Sequence, residues 1–347
     1  MEGLSINLLC EVLKLLTPKE VVKLEVVSKK LRHKLVNSGN FLWRNCFLTG
    51  LCCFESSDYL SFKTKLKEVT KYTLAFTSGD SVKVWDLEKT QEVARFQGGS
   101  CLCLSKDKKL IAFGNKGGIE VWSLETQERV KAFEDTENIN SVSISHGNIY
   151  LASGGLDGMV RVWNLFHGQS LYASNHGDSV WCVEVHCNCI ASGGSEGTVK
   201  VWSLATGNLK FTLKGHTSVV WCLAMYNEFL VSGSKDEFIK VWNLTSGEQV
   251  YSVEGHSKGV KTLAVSQNKE FMVSGGEDKS VRVWNLRTME QSSVLRGHKR
   301  TVFSIGISWD GEVVVSGSWF DYLRIWKKNQ QTEIQEFSVS EHTLVAM

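Results

Sequence analysis

Ten cysteines and nine histidines are among the residues of this chain that could act as metal ligands, nucleophiles or bases. The most closely spaced cysteines are Cys52-Cys53, Cys101/Cys103 and Cys187/Cys189. C-x-C spacing without an accompanying C-x-x-C or histidine pair is a poor zinc signature. We therefore predict that the cysteines are reduced and serve as small apolar residues on strands.

The sequence also gives little support for catalysis. It contains no glycine-rich phosphate loop, and no nucleophile and base at a recognisable spacing. Three histidines stand out because each directly follows a glycine, at His216, His256 and His298. We expect them to have structural roles, and we expect a chain that is not an enzyme and binds no cofactor or metal.

Tryptophan provides the clearest spacing in the chain. A Val-Trp or Ile-Trp pair recurs seven times at intervals of 37 to 42 residues, at Trp85, Trp122, Trp163, Trp202, Trp242, Trp284 and Trp326. An alternating strand ends at each tryptophan, as in 238–242. A Ser-Gly-Gly or Ser-Gly-Ser segment precedes that strand and predicts a small-residue turn, for example at 232–234. Short strands separated by turns every 8 to 12 residues indicate an all-β architecture.

Charge and hydropathy exclude two classes of partner. The formal net charge is only +2, so no global basic field points to nucleic acid. No apolar run reaches the ~18 residues that span a bilayer, and charged residues interrupt the first sixteen positions, which argues against a signal peptide. We therefore expect an intracellular protein of the cytoplasm, the nucleus or both, without a membrane partner.

A period near 40 residues, with Gly-His early and tryptophan late, resembles the WD-repeat family. The resemblance covers residues 72–347 and implies a mainly β fold, a seven-bladed β-propeller of four-stranded blades. In the family, histidine, serine, aspartate and tryptophan form a hydrogen-bond network within a blade. The complete sets here are His216, Ser232, Asp236, Trp242 and His256, Ser274, Asp278, Trp284.

Other repeats depart from this pattern. The fourth has Glu196 at the aspartate position, the seventh has Phe320 with Asp321 one step late, and the second lacks both histidine and aspartate. We expect these three blades to depend more on packing and less on the network.

Residues 1–71 have a different character, with no β-repeat and an excess of basic residues. Leucines and valines at helical spacing predict an amphipathic helix that ends before Thr17. Thr17-Pro18-Lys19-Glu20 then has the pattern of a helix start, because Thr17 can cap the helix and Pro18 fits its first turn. We place a helical segment at 1–50, a helical linker at 51–71 and the propeller at 72–347.

The order of apolar residues in 1–50 resembles an F-box. Two positions depart from that motif, Ser5 in place of the usual proline and Leu31 in place of the usual aromatic. By resemblance, the segment would bind a Skp-type linker protein through Leu4, Leu8, Leu9, Val12, Leu16, Pro18 and Val27. Two other interpretations of the segment remain open, a helical cap on the propeller and a coiled-coil helix.

The combination resembles the F-box/WD-repeat proteins, which are substrate receptors of cullin-based ubiquitin ligases. The resemblance implies that the linker protein joins the chain to a cullin and its RING subunit, while the propeller presents a protein substrate for ubiquitylation. The alternative is a propeller scaffold that acts outside ubiquitylation.

In the family, two positions per blade face the mouth of the central channel, where loops of all blades converge. The first position corresponds to Ser100, Asn140, Trp181, Trp221, Lys261 and Phe303, and the second to Gly79, Asn115, Leu156, Ser195, Lys235, Glu277 and Trp319. From these we predict that Trp181, Trp221, Lys235, Lys261, Phe303 and Trp319 bind the substrate. An aromatic face with a minor cationic edge would take an apolar or aromatic degron with one acidic or phosphorylated residue. Packing of some of these tryptophans between blades is the alternative.

The two ends of the propeller give a hypothesis for ring closure. Residues 72–97 provide three strands for the first blade, and 332–339 provide the outer strand of the seventh. The final segment, 341–347, is similar in pattern to 215–225, which begins an inner strand. We therefore expect the tail to supply the missing inner strand of the first blade and to close the ring.

Overall fold

The computed structural model describes residues 73–78, 81–86, 91–99, 101–105, 107, 109–115, 117–134, 139–308, 311–318, 323–328 and 332–337. The chain divides into two units, Met1–Leu48 and Thr49–Met347, and all described residues lie in the second. The predicted F-box segment and helical linker therefore lie outside the described residues. So does the predicted closing strand at 341–347.

The described residues form seven antiparallel sheets, which we number as blades 1 to 7 in chain order. Blades 1 to 3 contain β1 (Thr73–Ser78), β2 (Ser81–Asp86) and β3 (Gln91–Gln97); β4 (Leu102–Leu104), β5 (Leu110–Asn115), β6 (Gly118–Ser123) and β7 (Arg129–Glu134); and β8 (Ile139–Ile144), β9 (Tyr150–Gly155), β10 (Met159–Asn164) and β11 (Gln169–Asn175). Blades 4 and 5 contain β12 (Val180–His186), β13 (Cys189–Gly194), β14 (Val199–Ser203) and β15 (Leu209–Leu213); and β16 (Val220–Tyr226), β17 (Phe229–Ser234), β18 (Phe238–Asn243) and β19 (Gln249–Glu254). Blades 6 and 7 contain β20 (Val260–Val265), β21 (Phe271–Gly276), β22 (Ser280–Asn285) and β23 (Gln291–Arg296); and β24 (Val302–Ile307), β25 (Val313–Ser318), β26 (Leu323–Lys327) and β27 (Thr332–Phe337).

The described part of the chain is mainly β and contains no helix, as expected for the propeller region. Blades 2 to 7 have four strands each, and blade 1 has three described strands. The first strands of successive blades lie beside one another, from β4 through β8, β12, β16 and β20 to β24. The core consequently lies between neighbouring sheets, as where Val201 of blade 4 and Leu223 of blade 5 join one apolar cluster with Trp242.

Burial changes steadily across each blade. The second strand of blade 5, β17, is buried along nearly its whole length, whereas the outermost strand, β19, is mostly exposed. The third strand, β18, alternates between partly buried and buried residues, which is the period-two pattern seen in the sequence. The buried second strand has no such alternation because both of its faces contact neighbouring sheets.

The Ser-Gly segments are not turns, which corrects the sequence-based prediction. Ser232 and Gly233 belong to the second strand of blade 5, β17. A Cβ atom on Gly233 would lie 2.7 Å from both Cys222 Sγ and Val260 Cγ1, and Gly193 and Gly275 are crowded in the same way by valines of the next blade. Glycine is needed there because the first strand of the following blade packs directly against it.

The tryptophans of blades 5 and 6 end hydrogen-bond chains that cross the blade. In blade 5, Trp242 Nε1 donates to Ser232 Oγ at 2.9 Å, and His216 bonds to Ser232 through Nε2 and to Asp236 through Nδ1. In blade 6, Trp284, Ser274, His256 and Asp278 repeat these bonds. Because an indole N–H can only donate, the serine oxygen accepts from tryptophan. Because the Asp236 carboxylate accepts, His216 donates to it from Nδ1 and presents Nε2 to the serine O–H.

Blade 4 retains a hydrogen-bond network although Glu196 replaces the aspartate, but in this network the histidine has two hydroxyl partners. His176 presents Nδ1 to Ser192 Oγ at 2.8 Å and Nε2 to Thr198 Oγ1 at 3.2 Å, and Trp202 still donates to Ser192. The histidine ring is therefore reversed relative to blade 5, and its second partner is the hydroxyl of Thr198, two residues after the aspartate position. Burial, followed by the charge of Lys200, lowers the pKa of His176 to about 4.

Blades 7 and 2 differ from one another. Blade 7 keeps the bonds of His298 and Trp326 to Ser316. Phe320 and Asp321, on which the expectation for this blade depends, lie outside the described residues. In blade 2, Trp122 Nε1 donates to Glu120 instead, and its ring contacts Phe96 of blade 1 with ring centroids 4.9 Å apart. The more exposed blade 2 tryptophan thus has a carboxylate partner and an aromatic neighbour.

Candidate functional site

Five of the predicted channel-facing residues occupy equivalent positions, each at the second residue of the first strand of its blade: Asn140, Trp181, Trp221, Lys261 and Phe303. Every one of them is the extra residue of a β-bulge and has no partner on the second strand. A bulge releases one residue from the ladder and redirects its side chain. The bulges therefore explain how strands that are otherwise buried present one side chain each at the same end of the first strands.

The second predicted position of each blade lies beside the bulge. The backbone N–H groups of Ser195, Lys235 and Glu277 donate to carbonyl oxygens of Ser179, Val219 and Gly259, each two residues before a bulged residue. These bonds, of 2.9 to 3.1 Å, link the end of the second strand to the start of the first. Trp181 is thereby held next to Ser195, Trp221 next to Lys235, and Lys261 next to Glu277.

A cavity of about 380 Å³ opens at this end of the first strands. Its lining includes all five bulged residues, together with side chains of β4, β8, β12, β16 and β20. Glu184 also lines it, two residues beyond the buried Cys182 and further along β12 from the mouth. Sequence reasoning missed this carboxylate because nothing in the strand pattern distinguishes it from other polar residues.

Trp181 is the most exposed aromatic residue of the cavity. The residue is 39% exposed, and its indole Nε1 donates to Ser195 Oγ at 2.9 Å. Leu156, from the second-position set, is 42% exposed, and its carbonyl oxygen accepts a bond from Ser179 two residues before Trp181. An exposed leucine and an oriented tryptophan thus lie on neighbouring blades, as required of an apolar contact surface.

Lys261 is engaged rather than freely available. Its Nζ atom lies 2.9 Å from the centroid of the Trp221 ring and 3.4 Å from Glu277 Oε1, and its side chain is 17% exposed. Burial lowers the pKa of its amine, and the charge of Glu277 opposes that effect. On the other side, Trp221 is so close to Gly259 that a Cβ there would be 2.5 Å from the ring.

The remaining predicted residues have separate positions. Lys235 is exposed on the rim of blade 5, and Phe303 lies 5.6 Å from the Lys261 Nζ atom by its ring centroid. Trp319 and all seven residues predicted to bind the Skp-type linker lie outside the described residues. With Glu277 beside Lys261 and Glu184 inside the cavity, the site is less cationic than the two lysines suggested.

A second cavity of about 670 Å³ opens at the opposite ends of the first strands. It is lined by His146, His186 and exposed Cys187, with the aromatic rings of Tyr150 and Tyr226. Among the described residues, no group of three or more His, Cys, Asp and Glu side chains is arranged to hold a metal ion. None of the described segments is a helix long and apolar enough to cross a membrane.

Comparison with protein families gives matches to the model of the WD domain, G-beta repeat. The matched segments are 127–164, 168–203, 207–243, 247–285 and 289–327, together more than half of the chain. The chain belongs to the WD40 repeat family. Each WD40 match begins near the outermost strand of one blade and ends just after the tryptophan of the next, so the five matches correspond to the tryptophans of blades 3 to 7.

The fold is also similar to that of a solved structure. The crystal structure of the computationally designed protein Ika8 is similar with a TM-score of 0.68 and 26% identity, over 80% of this chain and 87% of that one. A search of curated protein sequences found no match. WD40 propellers are generally non-catalytic protein-interaction platforms, and the repeats of this chain therefore form a protein-interaction fold.

Proposed function

We propose that this WD40 protein is the substrate-recognition subunit of a Skp–cullin–F-box-type ubiquitin ligase. Residues 1–50 would bind the Skp-type linker protein and, through it, the cullin and RING subunits. The propeller would hold a protein substrate for ubiquitylation and proteasomal degradation, within the cytoplasm or the nucleus. The protein itself acts as an adaptor and carries out no chemical step.

The cavity of bulged residues supports the receptor part of the proposal. Trp181 and Leu156 are exposed although most apolar side chains of the inner strands are buried, and tryptophan is enriched in the residues that dominate binding energy. The hydrogen bond from Trp181 to Ser195 orients the ring before any ligand arrives. A preoriented side chain loses less conformational entropy on binding than a mobile one.

The ligase part of the proposal is tested by reconstitution. We would mix the purified full-length chain with a Skp-type linker protein and a cullin, and measure complex mass by size-exclusion chromatography with light scattering. A stable complex is expected for the wild type. It should be lost when Leu8 and Val12 are both changed to glutamate, because charged side chains cannot enter an apolar groove.

The matched control is Trp181→Ala, which alters the propeller and should leave linker binding intact. A wild-type chain that folds but forms no complex would refute the ligase assignment. The protein would then be a WD40 scaffold outside ubiquitylation, a function that the exposed face of the propeller can perform without the N-terminal segment.

The substrate-binding role of the cavity has its own test. Changing Trp181 and Trp221 to alanine should abolish capture of the substrate while circular dichroism and the melting temperature show a folded propeller. Phe166 is 68% exposed in the turn between β10 and β11, at the end of blade 3 opposite its bulge, and provides a matched aromatic control. Retained capture by the double variant would refute the assignment of this face.

A further inference from the structure

The ammonium group of Lys261 lies against the aromatic rings of Trp221 and Phe303, a kind of surface that attracts cations in general. At 2.9 Å from the Trp221 centroid and 5.6 Å from that of Phe303, the Nζ atom occupies the position of a bound cation between two rings. An ammonium over a tryptophan face is attracted by the quadrupole of the ring, most strongly where water is excluded. The chain thus supplies its own cation to this part of the cavity.

The surrounding charges favour a cation at this point. Glu277 Oε1 lies 3.4 Å from the Nζ atom, and the carboxylate of Glu184 lines the same cavity. Burial removes water from the Lys261 amine and lowers its pKa, and the positive charge of Lys235 adds a smaller effect in the same direction. The contacts with Glu277 and Trp221 hold the ammonium in place, while its burial opposes the charged form.

We propose that Lys261 is a built-in substitute for an arginine side chain of the ligand, which displaces it from the Trp221 ring. A guanidinium is planar, stacks on aromatic faces, is less strongly hydrated than an ammonium, and can pair with a carboxylate through two N–H groups. The displaced lysine has a flexible four-carbon stem that returns its ammonium to water. This inference rests on the proposed function of the cavity as the substrate site and names the ligand group it accepts.

The test uses a minimal probe, N-acetyl-arginine methylamide, with the citrulline analogue as its uncharged isostere. Binding of each probe to the full-length protein would be measured by ligand-observed NMR. We expect millimolar binding of the arginine probe by the wild type, and binding about tenfold tighter by Lys261→Met, which removes the competing ammonium and leaves both carboxylates. The citrulline probe should bind at least about tenfold more weakly than arginine to either protein.

The control variant is Lys235→Met, which removes a positive charge from the adjacent position but leaves Lys261 in place. It should tighten arginine binding far less than Lys261→Met. Equal gains in the two variants would show a general charge effect and overturn the proposal. The absence of any gain in Lys261→Met, or equal binding of citrulline, would also overturn it.

A second measurement needs no substitution and so remains valid if a variant fails to fold. The lysines of the wild type would be acetylated at low reagent concentration, with and without saturating arginine probe, and quantified by mass spectrometry. Displacement should raise the labelling rate of Lys261 several-fold and leave that of Lys235 unchanged. An unchanged or reduced rate at Lys261 would contradict the exchange.

Neither measurement involves the linker protein or ubiquitin. Loss of the ligase assignment would leave these results unaffected, and failure of the exchange would leave the linker complex intact. The two proposals can therefore fail separately.

Discussion

Single residues decide how each blade satisfies its tryptophan, and His176 shows how much one ring orientation matters. In blades 5 and 6 a carboxylate accepts from the histidine, whereas in blade 4 both ring nitrogens face hydroxyls. Burial raises the pKa of Asp236, but hydrogen bonds from His216 and the Thr217 amide lower it by more. The net effect is a pKa below the usual value for aspartate. The blades therefore respond to acid in different pH ranges.

His176 should make the protein sensitive to mild acid. Its pKa is about 4 in the folded state, below the ~6.5 of an unfolded chain, so the unfolded state binds a proton first as the pH falls. Stability should decline between pH 6.5 and about 4, by up to roughly 3 kcal/mol. Below that range the lowered pKa values of Asp236 and Asp278 cause a further loss as their carboxylates protonate.

Thermal melts between pH 7 and pH 4 check this prediction. His176→Gln should melt lower than the wild type at pH 7, because hydrogen bonds are lost, yet its melting temperature should change less between pH 6.5 and 4.5. The exposed His167→Gln variant is the control and should show the wild-type slope. A wild-type slope in His176→Gln would be inconsistent with this assignment.

The position of His176 was missed in the sequence because glycine follows this histidine, as Asn175-His176-Gly177, rather than preceding it. The ring orientation could not be inferred from composition, since it depends on which polar side chains approach each ring nitrogen in the folded blade. Glu277 was recognised as a rim residue, but its pairing with Lys261 depends on the contact between two strands. Spacing identifies such positions and leaves their partners undetermined.

At the scale of elements, the second strand of each blade sets how closely the next blade can approach. The Ser-Gly pairs place the serine toward the tryptophan of the same blade and the glycine toward a valine of the following one, as with Ser232 and Gly233. Sequence reasoning recognised the recurrence but interpreted small residues as turns. The serine and glycine are small because the strands of neighbouring blades pack closely against them, and not because the chain reverses there.

Gly233→Ala should be destabilising although alanine suits a strand no worse than glycine. The new Cβ would lie 2.7 Å from Cys222 Sγ and Val260 Cγ1, so the neighbouring blade must move, at a cost of about 1–3 kcal/mol. Chemical denaturation would measure the change in the free energy of unfolding. Gly117→Ala is the matched control, because its Cβ meets nothing within 4 Å, and its effect should stay within about 0.5 kcal/mol.

The same measurement on Gly193→Ala extends the test to another blade. Its Cβ would lie 2.6 Å from Cys182 Sγ and 2.7 Å from Val220 Cγ1, so a similar loss is expected. Stabilities equal to that of Gly117→Ala would show that the inter-blade contact can relax and that glycine is not required there.

At the scale of the whole molecule, the tryptophan period predicted the number and order of the sheets, because each repeat must form one four-stranded unit that buries its faces against the next. Blade 1 follows this order with three described strands, and β1 lies against β4 of blade 2. The bulges could not be predicted, since a bulge is defined by the register between two strands and a single inserted residue leaves the repeat length within its normal variation.

Ring closure by the C-terminal tail remains a prediction. Removing residues 340–347 should lower the melting temperature markedly, because β1 would lose the strand expected to pair with it and blade 1 would expose an edge. Differential scanning calorimetry of the truncated and full-length chains would measure the change, and removal of Met347 alone provides the control. Equal melting temperatures for all three chains would rule out closure by this tail.

The bulges have a consequence for how the binding specificity of such a protein can evolve. The residue before each bulged position is a buried, β-branched side chain: Ile139, Val180, Val220, Val260 and Val302. The bulged positions themselves carry asparagine, tryptophan, lysine and phenylalanine. Variation is therefore concentrated in residues that the ladder does not use, and a new specificity can evolve there while the framework stays constant. A library randomised at these five sites would alter what the protein recognises with little loss of folded molecules.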